Sequence, residues 1–116
     1  MAEKYIPTIC LDFDGVIHTY TGGKGNDPSA MDEPIPGAQS AVLELQRLGY
    51  RVVIFTPRHR PSVLDWLEQW GFPFLEVTIV KPAAKVLLDD RAIQFQGEWS
   101  QPVIDSLHAF KAHWEI

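Results

Sequence analysis

Two pairs of aspartates follow apolar stretches of this chain, and they are the residues best suited to chemistry. Asp12 and Asp14 stand two positions apart at the end of one apolar run and are followed by Gly15, while Asp89 and Asp90 end another. Carboxylate oxygens are good ligands for Mg²⁺. A carboxylate can also attack phosphorus or exchange a proton with a reacting group. The two pairs therefore predict a cation site with acid-base chemistry, if the fold brings them together.

The elements that must position these acids are four strands and three helices. Short apolar runs predict strands over 5–13, 51–56, 74–80 and 85–90, and helical spacing predicts helices over 36–50, 60–72 and 100–114. The last helix is expected to turn an apolar stripe inward, consisting of Val103, Leu107, Phe110 and Trp114. Continuously apolar strands are typical of a parallel sheet covered on both faces. We therefore expect an α/β fold: a three-layer α/β/α sandwich with a mostly parallel, Rossmann-like sheet. We expect residues 1–116 to form one domain, in which the polar segment 18–34 is a flap loop.

In such sheets ligands bind beyond the carboxyl ends of the strands. Thr56 ends the second predicted strand and Lys81 follows the third. A hydroxyl and an ammonium would thus join the four acids at one edge. Asp12 can attack phosphorus and Asp14 can protonate the leaving oxygen and later activate water. Thr56 and Lys81 can hold phosphoryl oxygens and neutralise their charge, and a divalent cation reverses the field of the acids.

Several neighbouring residues are alternatives or candidates for further roles. Lys85 is the alternative to Lys81, but it begins the fourth strand, at the end away from the acids. Arg58 and His59 follow the second strand and are candidate substrate contacts, and Arg91 is expected to pair with the adjacent acids. The histidines lack metal-ligand spacing and are interpreted as non-ligands, namely His18, His59, His108 and His113. The tryptophans are expected in the core or between helices, namely Trp66, Trp70, Trp99 and Trp114, with an edge of the site as the alternative for Trp99.

Four short segments, taken in order, resemble the motifs of the haloacid dehalogenase-like phosphohydrolase superfamily. They are "DFDGVIH", "VVIFTPRH", "KP" and "LLDDR", and together they extend over nearly the whole chain. The resemblance implies an Mg²⁺-dependent phosphatase that forms an aspartyl-phosphate. It implies Asp12 as nucleophile, Asp14 as acid and base, Thr56 as the phosphate-binding hydroxyl and Lys81 as the active-site lysine.

The same resemblance implies where Mg²⁺ binds. Its ligands would be Asp12, the backbone carbonyl of Asp14, and the second pair of acids, with Asp90 as the direct ligand and Asp89 as its close partner. Larger members of that superfamily carry an inserted cap domain, for which the connections of this chain are too short. The resemblance therefore implies a small member without a cap and with an open site.

Two other classes of protein share some of these features. A receiver domain of a signalling protein has an acidic Mg²⁺ site, a hydroxyl and a Lys-Pro pair, but the order of its motifs along the chain differs. A catalytically retired module that binds Mg²⁺ and a partner is the third class. The formal net charge of -5 does not favour sequence-independent binding to nucleic acid. The expected partner is a phosphorylated substrate, either a small molecule or the end of a macromolecule.

The bulk composition indicates where the protein works. No run approaches the ~20 apolar residues of a membrane span, and the single cysteine, Cys10, lies within an apolar run. We expect a cytoplasmic protein that does not enter a membrane.

Overall fold

The computed structural model of the protein describes residues 6–20 and 31–115, which form an α/β fold. The strands are β1 (Thr8–Asp12), β2 (Arg51–Phe55), β3 (Glu76–Thr78) and β4 (Val86–Leu88). The helices are α1 (Ala38–Arg47), α2 (Arg60–Gln69) and α3 (Gln101–Ala109). The predicted order of strands and helices is confirmed. None of the helices in the described part of the chain is long and apolar enough to cross a lipid bilayer.

The four strands form one parallel sheet in the order β3-β2-β1-β4. β1 is therefore an inner strand, in which Leu11 pairs with Ile54 of β2 on one side and with Leu88 of β4 on the other. The chain runs outward from β1 to β3 and then returns past β1 to reach β4. This reversal creates a topological switch point between β1 and β4. In open parallel sheets, ligands bind at the carboxyl ends of the strands at such a point.

The hydrophobic core lies between the sheet and the helices α1 and α2. Alternate residues of a strand face the same side, and Leu11 of β1 and Ile54 of β2 belong to one buried cluster with Val42 of α1 and with Val63 and Trp66 of α2. Burying an aliphatic or aromatic side chain of this size contributes about 1.5–3 kcal/mol. This packing holds β1, and with it Asp12, in a defined position.

The opposite side of β1 and β2 buries Cys10 and Val53, which lie outside that cluster. The connection from β3 to β4, residues 79–85, contains no helix and must pass from one edge of the sheet to the other. α3 contains no buried residue. The structure therefore shows helices packed on one face, and a helical layer on the other face remains a prediction.

The end of α3 differs from the prediction. The helix stops at Ala109 and the backbone of Phe110 is extended, with φ −59° and ψ 136°, so the prediction of a helix reaching residue 114 was wrong. Leu107 is 53% exposed and Phe110 is 36% exposed, so most of the expected stripe does not face the core. Ala112, three residues beyond the helix, is instead buried. The chain leaves the helix because the residues after Phe110 find partners elsewhere, as described below.

The two ends of the predicted flap loop pair with each other. The N–H of Thr19 donates to the carbonyl of Glu33 at 3.1 Å, and the N–H of Ile35 donates to that of Ile17 at 2.8 Å. Residues 21–30 of the predicted loop lie outside the described residues. The base of the loop is therefore a short backbone ladder next to the carboxyl end of β1.

Candidate metal centre and active site

Three carboxylates meet at the switch point between β1 and β4. Asp12, Asp89 and Asp90 each offer one oxygen, and these oxygens lie within 4.8 Å of one another. The parallel pairing of Leu11 with Leu88 explains the arrangement, because it places the residues that follow, Asp12 and Asp89, side by side. The structure thus brings together three of the four predicted acids.

A glycine makes the close approach of the two strand ends possible. Gly15 has a φ of 85°, and a Cβ at this position would overlap the carboxylate of Asp90. Around it the chain turns sharply, since the N–H groups of Ile17 and His18 both donate to the carbonyl of Phe13 at 2.9 Å. Glycine is the residue that adopts this conformation without steric cost. The turn that ends β1 is therefore built to let the Asp90 carboxylate lie against the backbone.

The crowding of these acids changes how they hold protons. Burial raises the pKa of Asp12 to about 8, together with a hydrogen bond to Asp90 and the negative charges of Asp89 and Asp90. Burial alone would also raise the pKa of Asp90, but hydrogen bonds from Asp12 and Trp114 outweigh it and hold that pKa below its ordinary value. Without a cation, Asp12 therefore carries a proton at neutral pH while Asp90 is ionised.

The residues present fit a hard divalent cation. When Asp12 is ionised it has no proton to donate, and Oδ1 of Asp90 is then a buried oxygen without a hydrogen-bond partner among the described residues. A hydrogen bond joins Asp12 to Asp90, and a divalent cation in place of its proton would neutralise more of the cluster's negative charge. The donors are all oxygens, which suits Mg²⁺, Mn²⁺ or Ca²⁺ rather than softer metals. Asp12, Asp89 and Asp90 are therefore the residues that would hold the ion.

The side chain of Asp14 has different partners. Its Oδ1 accepts a hydrogen bond from Nδ1 of His18 at 2.8 Å, and its Oδ2 accepts one from Nε of Arg58 at 2.7 Å. The backbone N–H of Asp32 donates to Nε2 of His18 at 2.7 Å. This contact assigns the proton of the imidazole to Nδ1, facing Asp14. The Asp14 carboxylate is not one of the three clustered groups, and a metal contact through its backbone carbonyl stays a prediction.

These partners set the protonation of Asp14. Burial alone would raise its pKa, but the hydrogen bonds from His18 and Arg58 and the charge of Arg58 hold it below its ordinary value. His18 is itself buried, stacked on Phe13 at 5.2 Å and edge-on to Trp66 at 5.5 Å. His18 was not predicted as a site residue, because the histidines of this chain lack metal-ligand spacing. The signal was its position within the turn that follows β1.

Thr56 and Arg58 extend the site toward β2. Thr56 directly follows β2 and is buried, and its Oγ1 accepts a hydrogen bond from the N–H of Arg58 at 3.2 Å. Its own N–H donates to the carbonyl of Thr78 at 3.0 Å. Through Arg58 this segment is linked to Asp14. The predicted hydroxyl and the predicted substrate-contacting guanidinium thus lie at the same edge as the acids.

The two candidate lysines lie in different places. Lys85 lies at the amino end of β1, because its N–H donates to the carbonyl of Thr8 at 2.8 Å. Lys81 lies near Cys10, since burial raises the pKa of that thiol while the charge of Lys81 opposes the rise. Cys10 is two residues before Asp12. This geometry favours Lys81, whose contact with a phosphate stays a prediction.

The segment after α3 supplies two further contacts. Nε1 of Trp114 donates a hydrogen bond to Oδ2 of Asp90, and Nε2 of His113 donates one to the carbonyl of Gly15 at 2.8 Å. The expectation that Trp114 packs in the core or between helices is wrong in this respect. The helical spacing of residues 103–114 predicts a longer helix, and so it does not predict the contacts of His113 and Trp114 with the site.

The remaining neighbours can be placed as well. The backbone N–H of Arg91 donates to Oδ1 of Asp89 at 2.7 Å, and the charge of Arg91 lowers the pKa of Asp90. An ion pair between the Arg91 side chain and these acids stays a prediction. His59 bonds to Ser62 at 2.9 Å, which is not a site residue. Trp99 is 72% exposed and packs beside Phe95. Trp99 lines a groove between the segment before α3 and α3 itself, and none of the three clustered acids lines this groove.

Comparison with known proteins supports the fold. No model of a known protein family matches the chain, and no curated protein sequence matches it either. Its structure is similar to that of a conserved protein from Bacteroides thetaiotaomicron, with a TM-score of 0.60 and 22% identity over 90% of each chain. At this level of identity the similarity concerns the fold alone, so function must be argued from the site.

Proposed function

We propose that the protein is a Mg²⁺-dependent phosphohydrolase of the haloacid dehalogenase-like type that works through an aspartyl-phosphate on Asp12. The observation that supports this most is the meeting of Asp12, Asp89 and Asp90 within 4.8 Å at the switch point of a parallel sheet. Thr56 and Arg58 at the same edge offer donors for phosphoryl oxygens. In this proposal the fold is a three-layer sandwich without a cap domain.

The proton on Asp12 explains why the reaction would need a cation. A protonated carboxyl group is a poor nucleophile, and the pKa of Asp12 is raised to about 8. Bound Mg²⁺ would supply the positive charge that keeps Asp12 ionised and neutralises phosphoryl oxygens. The Asp12 carboxylate then forms a bond to phosphorus as the bond to the leaving oxygen breaks. Water later attacks the phosphorus of the aspartyl-phosphate and regenerates Asp12.

Asp14 is arranged for the second of these steps. His18 and Arg58 keep its carboxylate ionised, which suits a base that takes a proton from the attacking water. To protonate the leaving oxygen in the first step, Asp14 must first gain a proton. Phosphoryl oxygens of a substrate compete with Asp14 for the Arg58 guanidinium. Binding of substrate would therefore weaken the contact that holds Asp14 ionised.

The strand order supports a hydrolase over a receiver domain. The observed order β3-β2-β1-β4 matches the first four strands of the Rossmann-type order 3-2-1-4-5-6. Receiver domains have the flavodoxin-type order 2-1-3-4-5, in which the first strand lies between the second and the third. The observed topology thus agrees with the motif order along the chain.

Phosphate release with and without Mg²⁺ tests the proposal. The panel includes an aryl phosphate, nucleotides and strands with 3′- or 5′-phosphates. We expect many equivalents of phosphate per chain from the wild type and none from Asp12→Asn. Asp105→Asn is a matched control, because Asp105 is exposed on α3 and bonds only to Gln101 among the contacts described for it. Lys81→Met should lower the rate more than Lys85→Met.

The alternatives predict different outcomes of the same experiment. A receiver-like protein takes up at most one stable phosphoryl group per chain and releases no excess phosphate. A retired enzyme binds Mg²⁺ and shows neither phosphoryl transfer nor turnover. Turnover by Asp12→Asn at the wild-type rate would show that Asp12 is not the nucleophile.

A further inference from the structure

The segment that follows α3 returns to the metal centre, and we call residues 110–115 the strap. Within it Ala112 is buried, and the N–H of Ala112 donates to Oε2 of Glu115 at 2.6 Å. His113 anchors the strap to the turn after β1 through the carbonyl of Gly15 at 2.8 Å. The burial of Ala112 and the hydrogen bond of His113 to Gly15 therefore hold the strap against the rest of the protein. Trp114 directly follows His113.

Trp114 forms a hydrogen bond with only one of the two oxygens of the Asp90 carboxylate. Its indole N–H donates to Oδ2, whereas Oδ1 is buried and, once Asp12 is ionised, has no hydrogen-bond partner in the described part of the chain. A carboxylate held by one oxygen cannot rotate freely, so the second oxygen keeps a fixed direction. Asp90 also supplies an oxygen to the three-carboxylate cluster with Asp12 and Asp89.

The indole ring is itself held in place by its neighbours. Tyr20 meets it edge-on, with ring centroids 4.8 Å apart and an interplanar angle of 83°. The guanidinium of Arg91 lies over the ring, 5.9 Å from its centroid. An edge-to-face pair contributes about 0.5–1.5 kcal/mol, and a cation over an indole contributes a similar amount at exposed sites. These contacts orient the N–H toward Asp90 before any cation binds.

We infer that Trp114 is a positioning residue, which holds Oδ2 of Asp90 so that Oδ1 is presented to the cation. The inference rests on the proposed cation site, but not on the phosphatase reaction. Ligating groups are typically oriented by hydrogen bonds from residues outside the metal's own ligand set, and loss of such a partner weakens metal affinity by roughly 10–100-fold. Asp90 receives this support from a residue 24 positions away along the chain.

The experiment is an Mg²⁺ titration of the full chain by calorimetry, with wild type, Trp114→Phe and Trp99→Phe compared. Phenylalanine keeps an aromatic ring for Tyr20 and Arg91 but lacks the N–H. Trp99 is exposed and packs beside Phe95 rather than against an acid of the cluster, so Trp99→Phe is the matched control. We expect Trp114→Phe to bind Mg²⁺ roughly tenfold more weakly, while Trp99→Phe binds it like the wild type.

A second measurement on the wild type does not depend on the folding of a variant. The chain has four tryptophans, so indole ¹⁵N–H spectra show up to four signals. The signal assigned to Trp114 should shift on Mg²⁺ addition, and the signal of Trp99 should not. The assignment of the Trp114 signal follows from its loss in Trp114→Phe.

The outcomes separate this inference from the proposed function. If the wild type does not bind Mg²⁺, the cation site and the proposed function both fail. If the wild type binds Mg²⁺ and Trp114→Phe binds it equally well, with no shift of the Trp114 signal, the positioning role fails and the cation site stands. Tighter binding by Trp114→Phe would also overturn the inference, because it would mean that the indole competes with the cation for Asp90.

Discussion

Replacing Asp12 with asparagine should make the metal-free protein more stable while it abolishes turnover. The pKa of Asp12 is raised from 3.8 to about 8, so between these pH values the folded wild type binds a proton that the unfolded chain does not. The stabilising effect of that proton is complete below about pH 4 and is lost as the pH rises through about 8. Asparagine never ionises, so the Asp12→Asn variant does not lose stability as the pH rises through this range.

The size of the effect can be bounded from the structure. The difference between a pKa of 3.8 and one of about 8 corresponds to an upper limit of about 5–6 kcal/mol. Asp12 is only partly buried, so solvent screens part of this repulsion. We expect Asp12→Asn to be more stable by about 1–2 kcal/mol at pH 8.5, which raises the melting temperature of a chain of this length by roughly 4–8 °C.

The assay is thermal unfolding of both proteins in a chelator at several pH values between about 5.5 and 8.5. Excess Mg²⁺ should reverse the ranking, because a ligand at about 100 times its dissociation constant stabilises the protein that binds it by about 2.7 kcal/mol. Asp105→Asn, which changes an exposed acid, should follow the wild type throughout. A stability difference between Asp12→Asn and wild type that does not change with pH would refute the reasoning.

Three further predictions concern the same site. Gly15→Ala should destabilise the protein by roughly 2–4 kcal/mol in urea unfolding, since its Cβ overlaps the carboxylate of Asp90. His18→Phe keeps a ring in the stack but loses the hydrogen bond to Asp14, and we expect phosphate release to fall about tenfold. The affinity for Mg²⁺, measured by calorimetry, should rise about tenfold per pH unit and level off near pH 8, because the cation displaces the proton of Asp12.

Each of these predictions has its own control. Gly49 also has a positive φ, of 95°, but a Cβ there meets no atom within 4 Å, so Gly49→Ala reports the backbone strain alone. A Gly15→Ala variant no less stable than Gly49→Ala would contradict the close contact. His59→Phe is the control for His18→Phe, and equal rates for the two would remove the support of Asp14 by His18. An Mg²⁺ affinity independent of pH would mean that no proton leaves Asp12.

The acids of the site could be predicted from the sequence because their position depends on general properties of parallel sheets. Asp12 and Asp89 each follow an apolar run, and an apolar run of that length is typical of a buried parallel strand. Since parallel strands share a direction, their carboxyl ends meet at one edge. The pairing of Leu11 with Leu88 is what this reasoning requires. Strand direction also favours Lys81 over Lys85, because Lys85 lies at the amino end of β1, away from the acids.

The partners of these acids could not be predicted in this way. The contact of His18 with Asp14 depends on a turn whose shape is set by Gly15. The contact of Trp114 with Asp90 joins residues far apart in the chain, and the helical spacing before it predicts a longer α3. Local propensity is a weak preference that tertiary contacts override. Here the burial of Ala112 and the hydrogen bond of Trp114 outweigh one more turn of helix.

The burial of Cys10 has a practical consequence. Its thiol lies in β1, beneath the carboxylate cluster, and burial raises its pKa. A disulfide reagent such as Ellman's reagent needs an accessible thiolate, so it can react only when the central strand opens. The labelling rate therefore reports how often this part of the molecule opens, without any engineered probe. A divalent ion bound between β1 and β4 would stabilise the closed form of these strands, so the labelling would become slower as the ion's affinity for the folded protein increases.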